Sequence, residues 1–306
     1  LPSDVVVQSW RGQASLAESA RRGHAGILSY GYYLDHMRPA SFHYAMDPLE
    51  KEAADLPENE RARILGGEAC MWGEFVTPDN IDSRIWPRTA AIAERLWSPA
   101  VVRDIPDMYR RLDSISRELD SLGLRHQTGH VDMLRGMIGD THLGLLKELA
   151  DLLKPTGLGT RQRSRQYTSL IPLNRMVDAV LPESRAARRL ESLVEDALSV
   201  EQPSSDLLRE IRQMLSGWQQ NERQWDLILQ QSSILMEIIP LSQTVSLLSG
   251  KGLEAINYLE SGRKPTDSWR NDAAALLGLA EKPQAELLPA IAPPIKRLIE
   301  AASNIP

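Results

Sequence analysis

Residues 4–10 read Asp-Val-Val-Val-Gln-Ser-Trp, a β-branched run that is typical of a strand buried on both faces. The Ala-rich residues 15–23 follow and are predicted to form a helix that ends at Gly23. A second strand is predicted directly afterwards, over residues 25–29. Because a strand, helix, strand unit of this kind builds parallel sheets, this part of the chain is predicted to have an α/β fold.

The same pattern recurs further along the chain. Residues 62–72 can form a third extended segment, and residues 85–97 a helix whose first turn accommodates Pro87. Another helix is predicted from about Ile105 to Leu122, where apolar residues recur with a helical spacing. Three strands are too few to close a barrel, so either the sheet is small and open or further strands lie before Leu1.

Composition and charge exclude several classes of protein. The chain has 306 residues, with 41 acidic and 35 basic side chains, so its formal net charge is −6. This mild acidity argues against a nucleic-acid-binding protein, which needs a basic face to displace counterions from phosphates. The single cysteine, Cys70, excludes an internal disulfide and a zinc ribbon. No stretch approaches the roughly 20 apolar residues of a membrane-spanning helix, and neither a metal nor a cofactor is expected.

The aromatic residues divide the chain into two parts. Of 16 Phe, Tyr and Trp residues, ten precede residue 100, whereas the later sequence reads as Leu-rich amphipathic stretches. We therefore place a boundary near residue 125, between an α/β part at residues 1–125 and an all-α helical domain at residues 126–306. Helices are expected at residues 142–153 and 186–198 and in a series over 204–248, with Gly250, Gly252 and a turn at residues 261–265 separating the last helices.

A small basic cluster lies in the helical part, at residues 160–165. It contains Arg161, Arg163 and Arg165. A solvated loop is the favoured interpretation, with a site for an anion or a glycan as the alternative. The helical part contains no catalytic motif.

Aromatic and acidic residues follow all three predicted strands. Because functional groups cluster at the carboxyl ends of parallel strands, we expect these side chains to share one edge of the sheet. Aromatic faces stack on pyranose rings and carboxylates accept hydrogen bonds from sugar hydroxyls, so the combination predicts a carbohydrate pocket. The alternative is that the tryptophans are simply buried in the hydrophobic core. The residues are Trp10 after the first strand, Tyr30, Tyr32, Tyr33 and Asp35 after the second, and Trp72 and Glu74 after the third.

Three stretches around the third strand are highly specific: GGEACMWGE at residues 66–74, RIWPR at 84–88 and AERLWS at 93–98. Together they resemble the last strand and helix of the β-N-acetylhexosaminidases of glycoside hydrolase family 20. Residues 8–12 and 28–35 resemble the two preceding strand ends of that family, in the same order. The family fold is a (β/α)8 TIM barrel, so the resemblance implies that this chain holds the C-terminal three β/α units of the barrel.

The resemblance also implies roles for five residues. Trp10 and Trp72 would form the walls of the pocket for a terminal N-acetylhexosamine. Asp35 and Glu74 would bind the ring hydroxyls of this sugar. Tyr33 would act in catalysis by donating a hydrogen bond to the acetamido oxygen of the substrate. In this family that oxygen attacks the anomeric carbon, so configuration is retained without a carboxylate nucleophile.

One part of the family pattern is missing. The family's general acid is a glutamate preceded by an aspartate, and no such Asp-Glu pair follows a strand in this chain. Glu68 and Glu74 are not assigned as acid and base, because Glu68 lies in the third strand and is expected to be a satisfied interior carboxylate. The chain alone is therefore expected to be inactive, with the general acid and the N-terminal half of the barrel lying upstream of Leu1.

Two interpretations of the whole chain remain open. The first is the C-terminal part of a β-N-acetylhexosaminidase acting on glycans that end in N-acetylglucosamine or N-acetylgalactosamine. The second is a non-catalytic sugar-binding or helical assembly module. Bacterial relatives are often exported, which favours a periplasmic or secreted location.

Overall fold

The computed structural model describes residues 1–2, 4–199 and 205–305, and the chain divides into two compact units, Leu1–Gly129 and His130–Pro306. The boundary predicted near residue 125 lies close to this division. None of the described helices is long and apolar enough to cross a membrane.

The first unit contains a parallel three-stranded sheet in the order β1-β2-β3, as the sequence predicts. The strands are β1 (Val6–Ser9), β2 (Ala25–Leu28) and β3 (Ile64–Gly67). Its helices are α1 (Gln13–Arg21), α2 (Ala40–Tyr44), α3 (Glu58–Arg61), α4 (Ile81–Ile85), α5 (Arg88–Trp97) and α6 (Ile105–Ser121). Short 3₁₀ turns occupy Leu34–His36 and Lys51–Ala53.

Helices α1 and α5 supply the core that covers one face of the sheet. Leu16 of α1 and Ile92 of α5 are buried with Leu28 of β2 and with Tyr32 and Leu34, which follow that strand. Gly67 lies against the Tyr32 ring so closely that an added Cβ would stand 2.6 Å from Tyr32 Cε2. Only a glycine therefore fits there.

Strand β3 contains a one-residue bulge. Ile64 pairs with Gly26, but Gly66 pairs with the next residue, Ile27, so Leu65 is an extra residue. Because side chains alternate between the two faces of a strand, this insertion moves every later residue of β3 to the opposite face.

The second unit is built mainly from helices. They are α7 (Gly129–Ile138), α8 (Leu143–Asp151), α9 (Leu158–Ser164), α10 (Met176–Ala179), α11 (Arg185–Leu198), α12 (Ser205–Gln220), α13 (Glu222–Leu229), α14 (Ile239–Ser261), α15 (Asp267–Ala280) and α16 (Ala292–Ser303). A 3₁₀ turn spans Met236–Ile238. Two short strands, β4 (Leu153–Pro155) and β5 (Leu287–Pro289), pair antiparallel, a pairing that the amphipathic pattern does not predict. The predicted series of helices begins at residue 204, which lies outside the described residues.

Two predictions for this unit are wrong. Gly250 and Gly252 do not separate helices but lie inside α14. Gly252 allows close packing on α12, because a Cβ there would stand 2.9 Å from Leu215 Cδ1. Residues 160–165 do not form a solvated loop: Arg161 lies on α9, is buried, and pairs with Asp178 and Glu286.

Candidate functional site

The predicted site residues lie where the three parallel strands end. Trp10 follows β1, Tyr33 and Asp35 follow β2, and Trp72 and Glu74 follow β3. The connections after β2 and β3 remain joined beyond the sheet, because Cys70 N donates to Tyr32 O at 3.1 Å and Leu34 N donates to Cys70 O at 2.9 Å. These bonds hold Tyr33 beside Cys70 in an isolated parallel bridge.

Asp35 is buried and binds the backbone that carries Trp72. Its Oδ2 accepts a hydrogen bond from Trp72 N at 2.7 Å and its Oδ1 accepts one from Gly73 N at 3.1 Å. Hydrogen bonds to an ionised acceptor are stronger than neutral ones. The carboxylate therefore fixes the turn after β3, and a sugar hydroxyl would have to share oxygens that already accept these two bonds.

Tyr33 lies among the side chains that follow the three strands, which together form the rim of the candidate site. Burial raises the pKa of its phenol, the neighbouring Cys70 and Glu68 raise it further, and the nearby Trp72 indole opposes them. The hydroxyl is therefore protonated at neutral pH and can donate a hydrogen bond. Its ring stacks on His36, with ring centroids 5.3 Å apart.

The two tryptophans at the strand ends are open to solvent. Trp10 is 55% exposed and Trp72 is 69% exposed, so neither indole is buried in the hydrophobic core. The Arg11 guanidinium lies over the Trp10 ring, 4.6 Å from its centroid. Exposed indoles of this kind can stack on the apolar face of a sugar.

The structure thus brings together three of the five predicted residues, Tyr33, Asp35 and Trp72. Within the described ranges, Glu74 makes no hydrogen bond or ion pair, and Trp10 stacks with the Arg11 guanidinium. Tyr32 is part of the core, where burial strongly raises the pKa of its phenol.

Sequence reasoning missed two contacts below this rim. Glu68 Oε1 accepts hydrogen bonds from Ser29 Oγ at 2.5 Å and from Gln8 Nε2 at 2.6 Å. The carboxylate of Glu68 is therefore satisfied, as predicted. The residue follows β3 rather than lying inside it, is half-buried rather than interior, and takes its partners from the two other strand ends.

Strand alternation could have placed Gln8 on the same face as Trp10. The glycine pair at residues 66–67 is a signal for the bulge that brings Glu68 to that face, since glycine inside a strand often marks a bulge and Gly66 has a φ of +132°.

Among the described residues, no group of three or more His, Cys, Asp or Glu side chains is arranged to hold a metal ion. The side chains at the rim carry an indole, a phenol, a thiol and carboxylates.

Comparisons with known proteins agree on one family. The model of the glycosyl hydrolase family 20 catalytic domain matches residues 1–100. The chain is 37% identical to β-hexosaminidase subunit beta of Mus musculus over 118 residues, which are 37% of this chain and 22% of that protein. It is also 37% identical to subunit alpha of Bos taurus over 142 residues, covering 42% of this chain and 26% of that protein. The chain thus spans about a quarter of the length of these relatives.

A solved structure matches nearly the whole chain. The chitobiase of Flavobacterium johnsoniae superposes with a TM-score of 0.84 and 31% sequence identity, over 96% of this chain and 45% of that one. The three parallel β/α units are part of a TIM barrel, and a helical unit follows them. Residues 1–100 therefore match the catalytic domain of glycosyl hydrolase family 20, and the chain resembles the C-terminal part of a family 20 chitobiase and of the β-hexosaminidases.

Proposed function

We propose that the chain is the C-terminal part of a β-N-acetylhexosaminidase that removes terminal N-acetylglucosamine or N-acetylgalactosamine from glycans. The observation that carries this proposal is the cluster of Tyr33, Asp35 and Trp72 at one end of the parallel sheet. It offers a protonated phenol as a donor and an exposed indole as a stacking surface. The match of residues 1–100 to the family 20 catalytic domain and the names of the relatives support the same activity.

The proposed reaction is retaining and substrate-assisted. The acetamido oxygen of the bound sugar attacks its own anomeric carbon, and a well-oriented attack of this kind gains an effective molarity of about 10⁵ M or more. The Tyr33 hydroxyl would hold the acetamido oxygen, and the Trp72 ring would confine the group beneath the sugar. A sugar without the acetamide would lack the nucleophile.

The chain lacks the residues to complete this reaction. An Asp-Glu pair, which would supply the general acid, occurs nowhere in the sequence. Removing a general acid costs a factor of about 10² to 10⁴ in rate. We therefore propose that the general acid is supplied from upstream, by an N-terminal half of the barrel that also covers the open edges of β1 and β3.

The test measures sugar binding and turnover on the full 306-residue chain. N-acetylglucosamine is expected to shift the tryptophan fluorescence of the chain, glucose is expected to have a much weaker effect, and Trp72→Ala and Tyr33→Phe are expected to weaken the response. No cleavage of an aryl N-acetylglucosaminide is expected. Equal binding of the two sugars would contradict an acetamide-binding site. If the chain cleaves the substrate, and Trp72→Ala or Tyr33→Phe abolishes this cleavage, the proposal that the general acid lies upstream is wrong. Binding without any turnover, even when the upstream part of the protein is present, favours the non-catalytic sugar-binding module.

A further inference from the structure

Glu68 connects the carboxyl ends of all three strands. A single oxygen of its carboxylate, Oε1, accepts hydrogen bonds from Gln8 at the end of β1 and from Ser29, the residue after β2. Glu68 itself follows β3, and its backbone N donates to Leu28 O at 3.0 Å. One side-chain oxygen therefore joins three segments that are distant in sequence.

The bulge in β3 is what allows this arrangement. Without the extra residue Leu65, the alternation of the strand would turn Glu68 toward the face that α1 and α5 cover. With it, Glu68 lies on the same face as Gln8, Trp10 and Ser29. Bulges occur next to active sites, where they redirect a side chain.

The environment of Glu68 is that of a hydrogen-bond acceptor rather than of an ion-pair partner. Its two donors are neutral, and it makes no ion pair with any described residue. The backbone ladder between the strands ends nearby, at Ser9, Leu28 and Gly67. Beyond that point the rim residues are held to one another by the backbone bonds of Ser29 N and Tyr30 N to Ser9 O and by the bonds of Glu68, Cys70 and Asp35.

We propose that Glu68 is a positioning residue, whose carboxylate holds the three strand ends together and so fixes Tyr33 and Trp72 for the acetamido group. The purpose of this role rests on the proposed function. The Glu68 bridge, formed by the hydrogen bonds of Glu68 to Gln8 and Ser29, can be tested without a sugar. Because it acts through an acceptor oxygen, the role does not require the charge of the carboxylate. Glutamine retains such an oxygen, with lone pairs for both donors, and alanine does not.

The test is amide hydrogen exchange of the full chain. Glu68→Ala is expected to speed exchange about tenfold in the segments that contain Tyr33–Asp35 and Cys70–Gly73, as expected for the net loss of one or two hydrogen bonds. Glu68→Gln is expected to restore the slow exchange of the unmodified chain. Glu58→Gln is the matched control, because Glu58 is an exposed residue at the start of α3. Ser29→Ala removes one donor and gives a milder second test, with a smaller acceleration in the same segments.

Unchanged exchange in Glu68→Ala overturns the proposal, and so does exchange in Glu68→Gln as fast as in Glu68→Ala. A separate measurement tests the purpose of the bridge: Glu68→Ala is expected to weaken binding of N-acetylglucosamine about tenfold, while Glu68→Gln binds as the unmodified chain does. If the unmodified chain shows the expected exchange pattern but binds no acetamido sugar, the proposed function fails and the bridge stands.

Discussion

The backbone amide of Trp72 donates a 2.7 Å hydrogen bond to the carboxylate of Asp35, a residue 37 positions earlier in the chain. The amide of Gly73 donates to the other oxygen of the same carboxylate. A buried acid thus holds the turn that carries the most exposed indole of the candidate site. The orientation of Trp72 depends on a residue after a different strand, and a change at Asp35 is expected to act on sugar binding through Trp72.

Asp35→Asn is the first prediction. The amide nitrogen of asparagine cannot accept the hydrogen bond that one carboxylate oxygen accepts, so a backbone N–H loses its partner. We expect the free energy of unfolding of the first unit to fall by about 2 kcal/mol, as for a hydrogen bond to a charged group. Urea unfolding followed by tryptophan fluorescence measures this change.

The control for this prediction is Asp55→Asn, because Asp55 is exposed and has no hydrogen bond or ion pair with a described residue. Equal stability of the two variants would contradict the role of Asp35.

The sequence predicted the three strands and the helices α1, α5 and α6 because each depends on local pattern, although α5 begins at Arg88 and not at residue 85. The β-branched run before Trp10 and the apolar spacing in α6 indicate an element wherever they occur. The bonds of Asp35 to the turn after β3, and of Glu68 to Gln8, join residues whose proximity depends on strand register. A bulge at Leu65 sets that register; Gly66 and Gly67 indicate an irregularity in the strand, but they do not specify which residue is the extra one.

The misassignment of Gly252 has a different cause. Glycine destabilises a helix by about 1 kcal/mol relative to alanine. The sequence of this segment alone therefore predicts that a helix ends at the glycine. Close contact with Leu215 on α12 explains the glycine, and this contact is visible only after the helices are packed. Arg161 was likewise misread, because its carboxylate partners lie on other elements.

The second prediction concerns the pH dependence of stability through His43. This residue is fully buried, its Nδ1 lies 2.7 Å from Gly31 O, and its Nε2 has no hydrogen-bond partner among the described residues. Burial lowers the pKa of His43 to about 4, and the charges of Arg88, His36 and Arg38 add to this effect. Because the pKa is lower in the folded state than the ordinary value of about 6.5, the unfolded state binds a proton first as the pH falls.

His43 therefore stabilises the fold fully above about pH 6.5, and this contribution is lost as the pH falls toward 4. Between about pH 7 and about pH 5 the unmodified chain is expected to lose about 2 kcal/mol more than His43→Gln does. Urea unfolding over this pH range measures the difference. His36→Gln is the control, since His36 is exposed in the same unit, and parallel pH profiles of the unmodified chain and His43→Gln would rule out the effect.

The third prediction concerns the buried ion pairs of the second unit. Arg175 binds Glu237 through two hydrogen bonds of 2.8 and 2.7 Å and binds Glu286 at 2.7 Å. Replacing it by methionine keeps an unbranched side chain but leaves the buried Glu286 without one of its cations. We expect a loss of about 3 kcal/mol in the free energy of unfolding of the second unit, measured by urea denaturation.

The surface pair of Arg209 and Asp206 provides the comparison. Its side chains are 68% and 76% exposed and lie 3.0 Å apart. Arg209→Ala is expected to cost less than about 1 kcal/mol, because exposed pairs contribute little. If the two variants cost the same, the cluster around Arg175 does not stabilise this unit through its burial.

The last prediction compares two helical glycines that differ in their surroundings. Gly278 on α15 is exposed and has open space where a Cβ would stand, so Gly278→Ala should stabilise the second unit by about 1 kcal/mol through helix propensity. Gly252→Ala places its Cβ 2.9 Å from Leu215 Cδ1 and 3.6 Å from two atoms of Ile295. Overpacking of this kind costs about 1 to 3 kcal/mol, which offsets or exceeds the gain in propensity. Thermal unfolding should therefore show a higher midpoint for Gly278→Ala and an unchanged or lower one for Gly252→Ala, whereas equal increases would mean that Gly252 does not serve the packing of α14 on α12.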